Sequence, residues 1–421
     1  MIKKLVIGLI GCYFFVFLVN NLQLTFDRYS TQLLFLSILN LISFSIALNK
    51  VSLIKVVTDI RKEKLILFYS AFMILSGISI VVASNKSESL VVYSQYLTFL
   101  FAFLSIFILC KYFKINLITL TINFCIISVL IESTYILYQL IDNVIVNDNI
   151  FKRGNAFRGF TANVNIAAFS IAAKSQVIIY KIFTSKSSKN IFFYSIILFI
   201  AVSCLFILLS RGGFMAFFFG TFCMFIYSFL FKVDKKFKSS IIVIITILVS
   251  YFSISSIVNS DSKNIIGDRI SAIQIDENDQ SINERLRFYS AALTSIKNKP
   301  ILGIGVGNWK IESIKYDAKY LTGYRIPLHA HNDFLQVGAE SGLIALMFFI
   351  SFLFYPFYSL LKKGLYKKLD MKFFVFLVML SIYIIDSLLN FPLARPVSHL
   401  LLLFIVSSLI FKINELENIT N

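Results

Sequence analysis

Two of the chain's three histidines stand in one short run, His329-Ala330-His331-Asn332-Asp333. Histidine titrates near neutrality and can take a proton from a hydroxyl group, so this run is the first candidate for a general base. Arg285 and Arg287, in NERLRFYSAAL, are the second candidate. Arginine stays charged and grips phosphate with a planar fork. Two residues apart on a helix the pair diverges in direction, so one of them faces a common site. Arg211, in Ser210-Arg211-Gly212-Gly213, is the third, at the end of an apolar stretch where a charge is costly unless paired or snorkelling. Lys152, Arg153 and Arg158 form a fourth group that would widen an anion-binding surface. Each has a structural alternative. The histidines could be loop residues beside a helix capped by Asn332 or Asp333, and the cations could face lipid headgroups.

Other chemistries find little support. The five cysteines, Cys12, Cys110, Cys125, Cys204 and Cys223, all lie in or beside apolar stretches and form no CxxC pair. They read as small buried residues, with neither a disulfide framework nor a zinc site suggested. The histidine run lacks the further ligands a metal needs. The run LGIGVGNW resembles a phosphate loop but has no Lys-Ser/Thr ending and links no strand to a helix, so it reads as a flexible turn.

The elements that must position these residues are membrane helices. Of the 421 residues, 58% are hydrophobic and 46 are Phe, with mean hydropathy +0.81. About 20 apolar residues cross a bilayer as a helix, and such stretches recur near 4–20, 31–48, 65–84, 92–110, 116–141, 164–183, 191–210, 212–231, 240–258, 332–356, 373–391 and 398–412. The first is read as a retained span because no small-residue cleavage site precedes Asn20-Asn21. A tight helical hairpin is expected at Gly212-Gly213. The fold class is therefore an all-α polytopic membrane protein of about twelve spans.

The net charge of +18 is concentrated in short loops rather than on a basic stripe, which argues against nucleic acid. Lys50 to Lys64, Lys111/Lys114, Lys186/Lys189, Lys232 to Lys238 and Lys362 to Lys368 all fall on one side of a twelve-span topology. By the positive-inside rule that side, with both termini, is cytoplasmic. Three divisions follow: residues 1–258 with nine spans, a large outer loop at 259–331, and 332–421 with three spans and a cytoplasmic tail. The loop should hold an amphipathic helix, Glu284–Lys297, stopped at Asn298-Lys299-Pro300. Within the spans, Glu132 and Lys174 reach similar depth at ~1.5 Å per residue and are expected to pair.

Taken together, these segments resemble the O-antigen ligase and polymerase superfamily. PILGIGVGNW, then HAHNDFLQVGAESGLIAL with nine residues between Asn332 and Gly342, carry the likeness, joined by SRGG and ERLRFYSAAL. The resemblance covers roughly residues 150–400. It implies a metal-independent, cofactor-free glycosyltransferase at the outer face of a bacterial cytoplasmic membrane, facing the periplasm. Its donor would be a glycan on polyprenyl diphosphate. The family's catalytic histidine carries over to His331 and its two arginines to Arg211 and Arg285, which would hold the diphosphate. Tyr289 stands where many relatives have Trp, and His329 falls at a variable motif position. Arg287, His329, Asn332, Arg158, Arg153 and Tyr289 are the further candidates for substrate binding. The acceptor stays open between a lipid A core sugar, a growing glycan and a protein hydroxyl, with the compact motif spacing favouring the ligase type of lipopolysaccharide assembly. A transporter or flippase using Glu132, Lys174 and Asp386 as a polar pathway is the reading from a different class, and a non-enzymatic assembly scaffold is a third.

Overall fold

The computed structural model describes residues 2–19, 29–146, 157–161, 163–231, 233, 236–258, 265–267, 280–320, 326–362, 364 and 369–418. Among these residues the structure is helical throughout, without strands. In chain order the helices are α1 (Ile2–Phe14), α2 (Ser30–Leu48), α3 (Leu53–Arg61), α4 (Lys64–Ile78), α5 (Lys86–Tyr112), α6 (Leu117–Leu140), α7 (Val164–Thr184), α8 (Ser188–Leu208), α9 (Arg211–Leu230), α10 (Lys236–Val258), α11 (Gln280–Asn298), α12 (Asp333–Lys362), α13 (Met371–Leu389) and α14 (Pro396–Asn418). Eleven are long and apolar enough to cross a membrane, so the protein is a multi-pass membrane protein. The expected first span is shorter: α1 has 13 residues and a 3-10 turn at Val16–Leu18 follows it. The expected loop helix is present as α11, one turn longer at its start than Glu284.

The chain forms two compact units. The first takes residues 1–117, 276–365 and 387–421, and the second 118–275 and 366–386.

In the second unit, α7 packs on α8 and α9 through small residues. A Cβ on Gly213 would sit 2.5 Å from that of Ala168, so glycine there sets how closely α9 approaches α7. The hairpin between α8 and α9 turns earlier than its glycines suggest. Leu209 takes the left-handed conformation (φ 47°) and Ser210 caps α9 by accepting from the Gly213 amide. Arg211 and both glycines are already in the helix, because the serine cap satisfies the open amides there. The depth argument for Glu132 and Lys174 holds: they form a buried ion pair. Lys174 also donates to Ser128 Oγ (2.8 Å), and Ser170 Oγ donates to the other Glu132 oxygen (3.1 Å).

The first unit has an aromatic core of Tyr69, Phe72, Phe99, Phe103, Phe349 and Phe352. The third histidine, His399, belongs to it. Its ring stacks on Phe99 at 4.1 Å, its Nδ1–H donates to the Leu393 carbonyl (2.9 Å) and its Nε2 accepts from the Tyr69 hydroxyl (2.6 Å). Both ring nitrogens are used, which makes this histidine a structural one.

Candidate active site

The site is held by a break in a transmembrane helix. Gly342 lies inside α12 with φ 85° and ψ 170°, a conformation open essentially to glycine. An α-helical amide at position 343 would bond the carbonyl of 339. Here Leu343 N donates to the Pro300 carbonyl (2.8 Å) instead. The freed carbonyls of Ala339 and Glu340 accept from Ile304 N and Gly305 N, both at 2.9 Å. The run expected to be a flexible turn, LGIGVGNW, is therefore a fixed wedge that replaces the missing helical hydrogen bonds. A Cβ on Gly342 would lie 1.9 Å from the Ile301 carbonyl oxygen.

The far end of the wedge is locked as well. Asn308 accepts from Ser84 Oγ and the Asn85 amide and donates to Ser89 Oγ, at 2.9, 2.8 and 2.7 Å. The Trp309 amide donates to the buried Glu340 carboxylate (3.1 Å), which also accepts from Gln336 Nε2 (3.4 Å). Gln336 Oε1 in turn accepts the Ala330 amide (3.1 Å), between the two site histidines. Ala330 itself is buried with Trp309, Ala339, Ala291 and Ala292, the last two on α11. Small residues let α11 lie against α12, and this brings Arg285, Phe288 and Tyr289 to the histidine run.

His331 is one of three non-glycine residues in the left-handed region among those described, with φ 55°. Such strain persists only where the surroundings over-determine it. On one side Asn332 caps α12, accepting the Leu335 amide (3.0 Å) and donating to the Leu388 carbonyl (3.3 Å). Asp333 accepts the Leu393 amide (3.0 Å). On the other side the Tyr289 hydroxyl lies 3.1 Å from the His331 carbonyl and 3.0 Å from that of Leu388. The His331 ring stacks at 6.2 Å with Phe288 and meets Phe391 edge-on at 4.9 Å. His329 lies face-on to the same Phe391 ring at 4.2 Å.

Burial is the main force that keeps both imidazoles neutral. With the nearby guanidinium of Arg285, then that of Arg395, it lowers His331 to about 4. Burial followed by Arg395 and His331 lowers His329 to about 3. Burial raises Tyr289, against the pull of Arg285. The Nδ1 atoms of both histidines are buried without a hydrogen-bond partner. A neutral imidazole beside a fixed cation is equipped to accept a proton while an anion is held next to it.

Of the sequence-stated candidates, His331, His329, Asn332, Tyr289 and Arg285 come together in the first unit. Arg287, two residues past Arg285 and half-buried, points about 200° around α11. Arg211 begins α9 in the second unit, where half-buried Arg158 also lies. Arg153 lies outside the described residues. Among the described residues no three His, Cys, Asp or Glu side chains gather as metal ligands. Three contributors were missed. Gln336 has only its helical spacing from the histidines as a signal. Phe391 and Arg395 belong to a Phe-Pro-Leu-Ala-Arg-Pro run at the start of the last span, where an arginine between apolar residues was the available clue.

Residues 196–350 match the family model described as O-antigen ligase. The matched stretch includes Arg211, Arg285 and His331 and ends before Phe391 and Arg395. No curated protein matches the chain.

Proposed function

We propose, from the O-antigen ligase match at 196–350 and the chemistry around His331, that this protein transfers a glycan from polyprenyl diphosphate to an acceptor hydroxyl. The reaction takes place at the periplasmic face of a bacterial cytoplasmic membrane. The observation that carries the reading is His331 itself: a neutral imidazole on strained backbone, clamped between Phe288 and Phe391, in the field of Arg285.

His331 takes the proton of the acceptor hydroxyl. The oxygen attacks the anomeric carbon from the side opposite the diphosphate, a C–O bond forms and the bond to the phosphate oxygen breaks. The electron pair leaves with polyprenyl diphosphate, and the anomeric configuration inverts. Arg285 offsets the charge that grows on the leaving group. Arg211 is assigned the same kind of role by its place in the SRGG motif. The diphosphate linkage is itself the activated bond, so the step draws on no nucleotide. The acceptor we favour is a lipid A core sugar, the ligase reaction of lipopolysaccharide assembly. A polymerase or a protein O-glycosylating activity would use the same residues. The transporter reading gains nothing from Glu132 and Lys174, which satisfy each other.

The test is a transfer assay with purified protein and a lipid-linked glycan, offering glycolipid, glycan and protein acceptors separately. His331→Ala and Arg285→Ala should each lower transfer by about 10²–10⁴-fold while insertion into membranes is unchanged. Transfer retained by both variants would sink the reading, and the acceptor consumed identifies the branch.

A further inference from the structure

We propose that Arg395 is a second anion-binding residue of the His331 site and takes a phosphoryl group of the carrier lipid's diphosphate. The identity of that anion rests on the glycan-transfer reading above. The placement of Arg395 does not.

Arg395 closes the short 3-10 turn Pro392–Ala394 that leads into α14. Its guanidinium carbon lies 4.9 Å from the Tyr29 ring centroid and 4.8 Å from that of Phe391, so aromatic rings fix its plane. Its Nη1 donates to the Tyr29 hydroxyl. Its Nε is buried and has no partner. Among the described residues no carboxylate pairs with it. An arginine ordered to this degree and left without a counter-charge at the mouth of a membrane span is costly as an end in itself. It is well suited to a ligand that brings the missing acceptor oxygens. A guanidinium plane with open N–H groups favours phosphate, which it meets with two parallel bonds.

Phe391 ties this cation to the reacting residues. One ring carries Arg395, lies face-on to His329 and meets His331 at its edge. His331 also contacts Phe288, one turn of α11 beyond Arg285. The imidazole thus stands between two aromatic rings, each associated with an arginine. Within the first unit Arg285 and Arg395 are the two guanidinium groups that act on His331, and a diphosphate carries acceptor oxygens enough for more than one arginine. An anion bound at Arg395 would also cancel part of the field that disfavours a proton on His331, making the base stronger once the donor is in place.

The experiment titrates full-length protein in detergent micelles with inorganic pyrophosphate and with undecaprenyl diphosphate, by calorimetry. Arg395→Gln should weaken both about tenfold or more, and Arg395→Lys should recover part of the loss. Tyr29→Phe keeps the charge but removes the bond that orients it, and a loss of a few-fold is expected. That variant and Arg395→Lys decide the matter if Arg395→Gln does not fold. Wild-type binding in the Arg395 variants alongside weakened binding in Arg285→Gln would overturn the assignment and leave glycan transfer standing. Failure of the wild type to bind either probe would instead count against glycan transfer itself, and the assignment would fall with it.

Discussion

The two units bury their charges by opposite means. In the second, Glu132 and Lys174 meet between α6 and α7, and Ser128 and Ser170 take up their remaining capacity. In the first, His329, His331 and Arg395 crowd around Phe391 and leave two imidazole nitrogens and one guanidinium nitrogen buried without partners. His399 in the same unit has both ring nitrogens bonded, so the difference does not come from residue type. A polar cluster that saturates itself braces the fold. One that stays unsaturated despite the cost of burial is shaped for something that arrives from outside.

The sharpest way to break this comparison is to remove one member of the saturated pair. Lys174→Ala should cost about 3–5 kcal/mol, because it strands the Glu132 carboxylate. Replacing both, Glu132→Leu with Lys174→Met, should restore most of the lost thermal stability and keep transfer. A double variant that melts normally but no longer transfers glycan would make the pair functional. A smaller effect is expected at Gln336, which connects Glu340 to the Ala330 amide. Gln336→Ala should lower kcat about tenfold by loosening the histidine run, with donor KM nearly unchanged. Steady-state kinetics check this, and a change in KM alone would contradict a positioning role.

The pH profile gives the finest test. The active form of His331 is the neutral one, and its folded value is lowered to about 4. The acid limb of kcat/KM should therefore lie near pH 4 rather than near the ordinary ~6.5. Arg285→Gln removes a facing cation, so the limb of its residual activity should move to higher pH. Arg395, His329 and Tyr289 are the other titratable or charged groups around the ring. The same shift acts on stability. The unfolded histidine binds its proton near ~6.5, so its contribution is full above that pH and declines as the pH falls toward about 4. Thermal melts of wild type and His331→Asn across this window would show the difference.

Much of this was legible in the sequence, for physical reasons that vary by element. Spans could be read because lipid demands long apolar helices. Glu132 and Lys174 could be paired because helical rise converts sequence distance into depth. His331, Arg285, Asn332 and Tyr289 could be grouped by their motifs. The turn at Leu209-Ser210 was missed because glycines were weighed above a serine cap, and a leucine in left-handed backbone leaves no compositional mark. The first apolar stretch reads as a full span, yet α1 ends at Phe14. Arg395 lies some sixty residues from His331 in sequence and joins it only through packing on Phe391, which no local pattern encodes. The role of LGIGVGNW depended on a break at Gly342, a residue whose place in the motif gives no sign of an interrupted helix.

That break has a consequence for how the protein is made. A hydrophobic helix normally reaches the bilayer with its backbone already satisfied. α12 does not, since the Ala339 and Glu340 carbonyls and the Leu343 amide depend on residues 300–305. Left open to hydrocarbon, each such group would cost several kcal/mol. The wedge lies about forty residues before the break it serves, so it has already been synthesised when α12 emerges. Closing the break therefore takes both segments: without residues 300–305, α12 would carry two carbonyls and an amide into the bilayer unsatisfied.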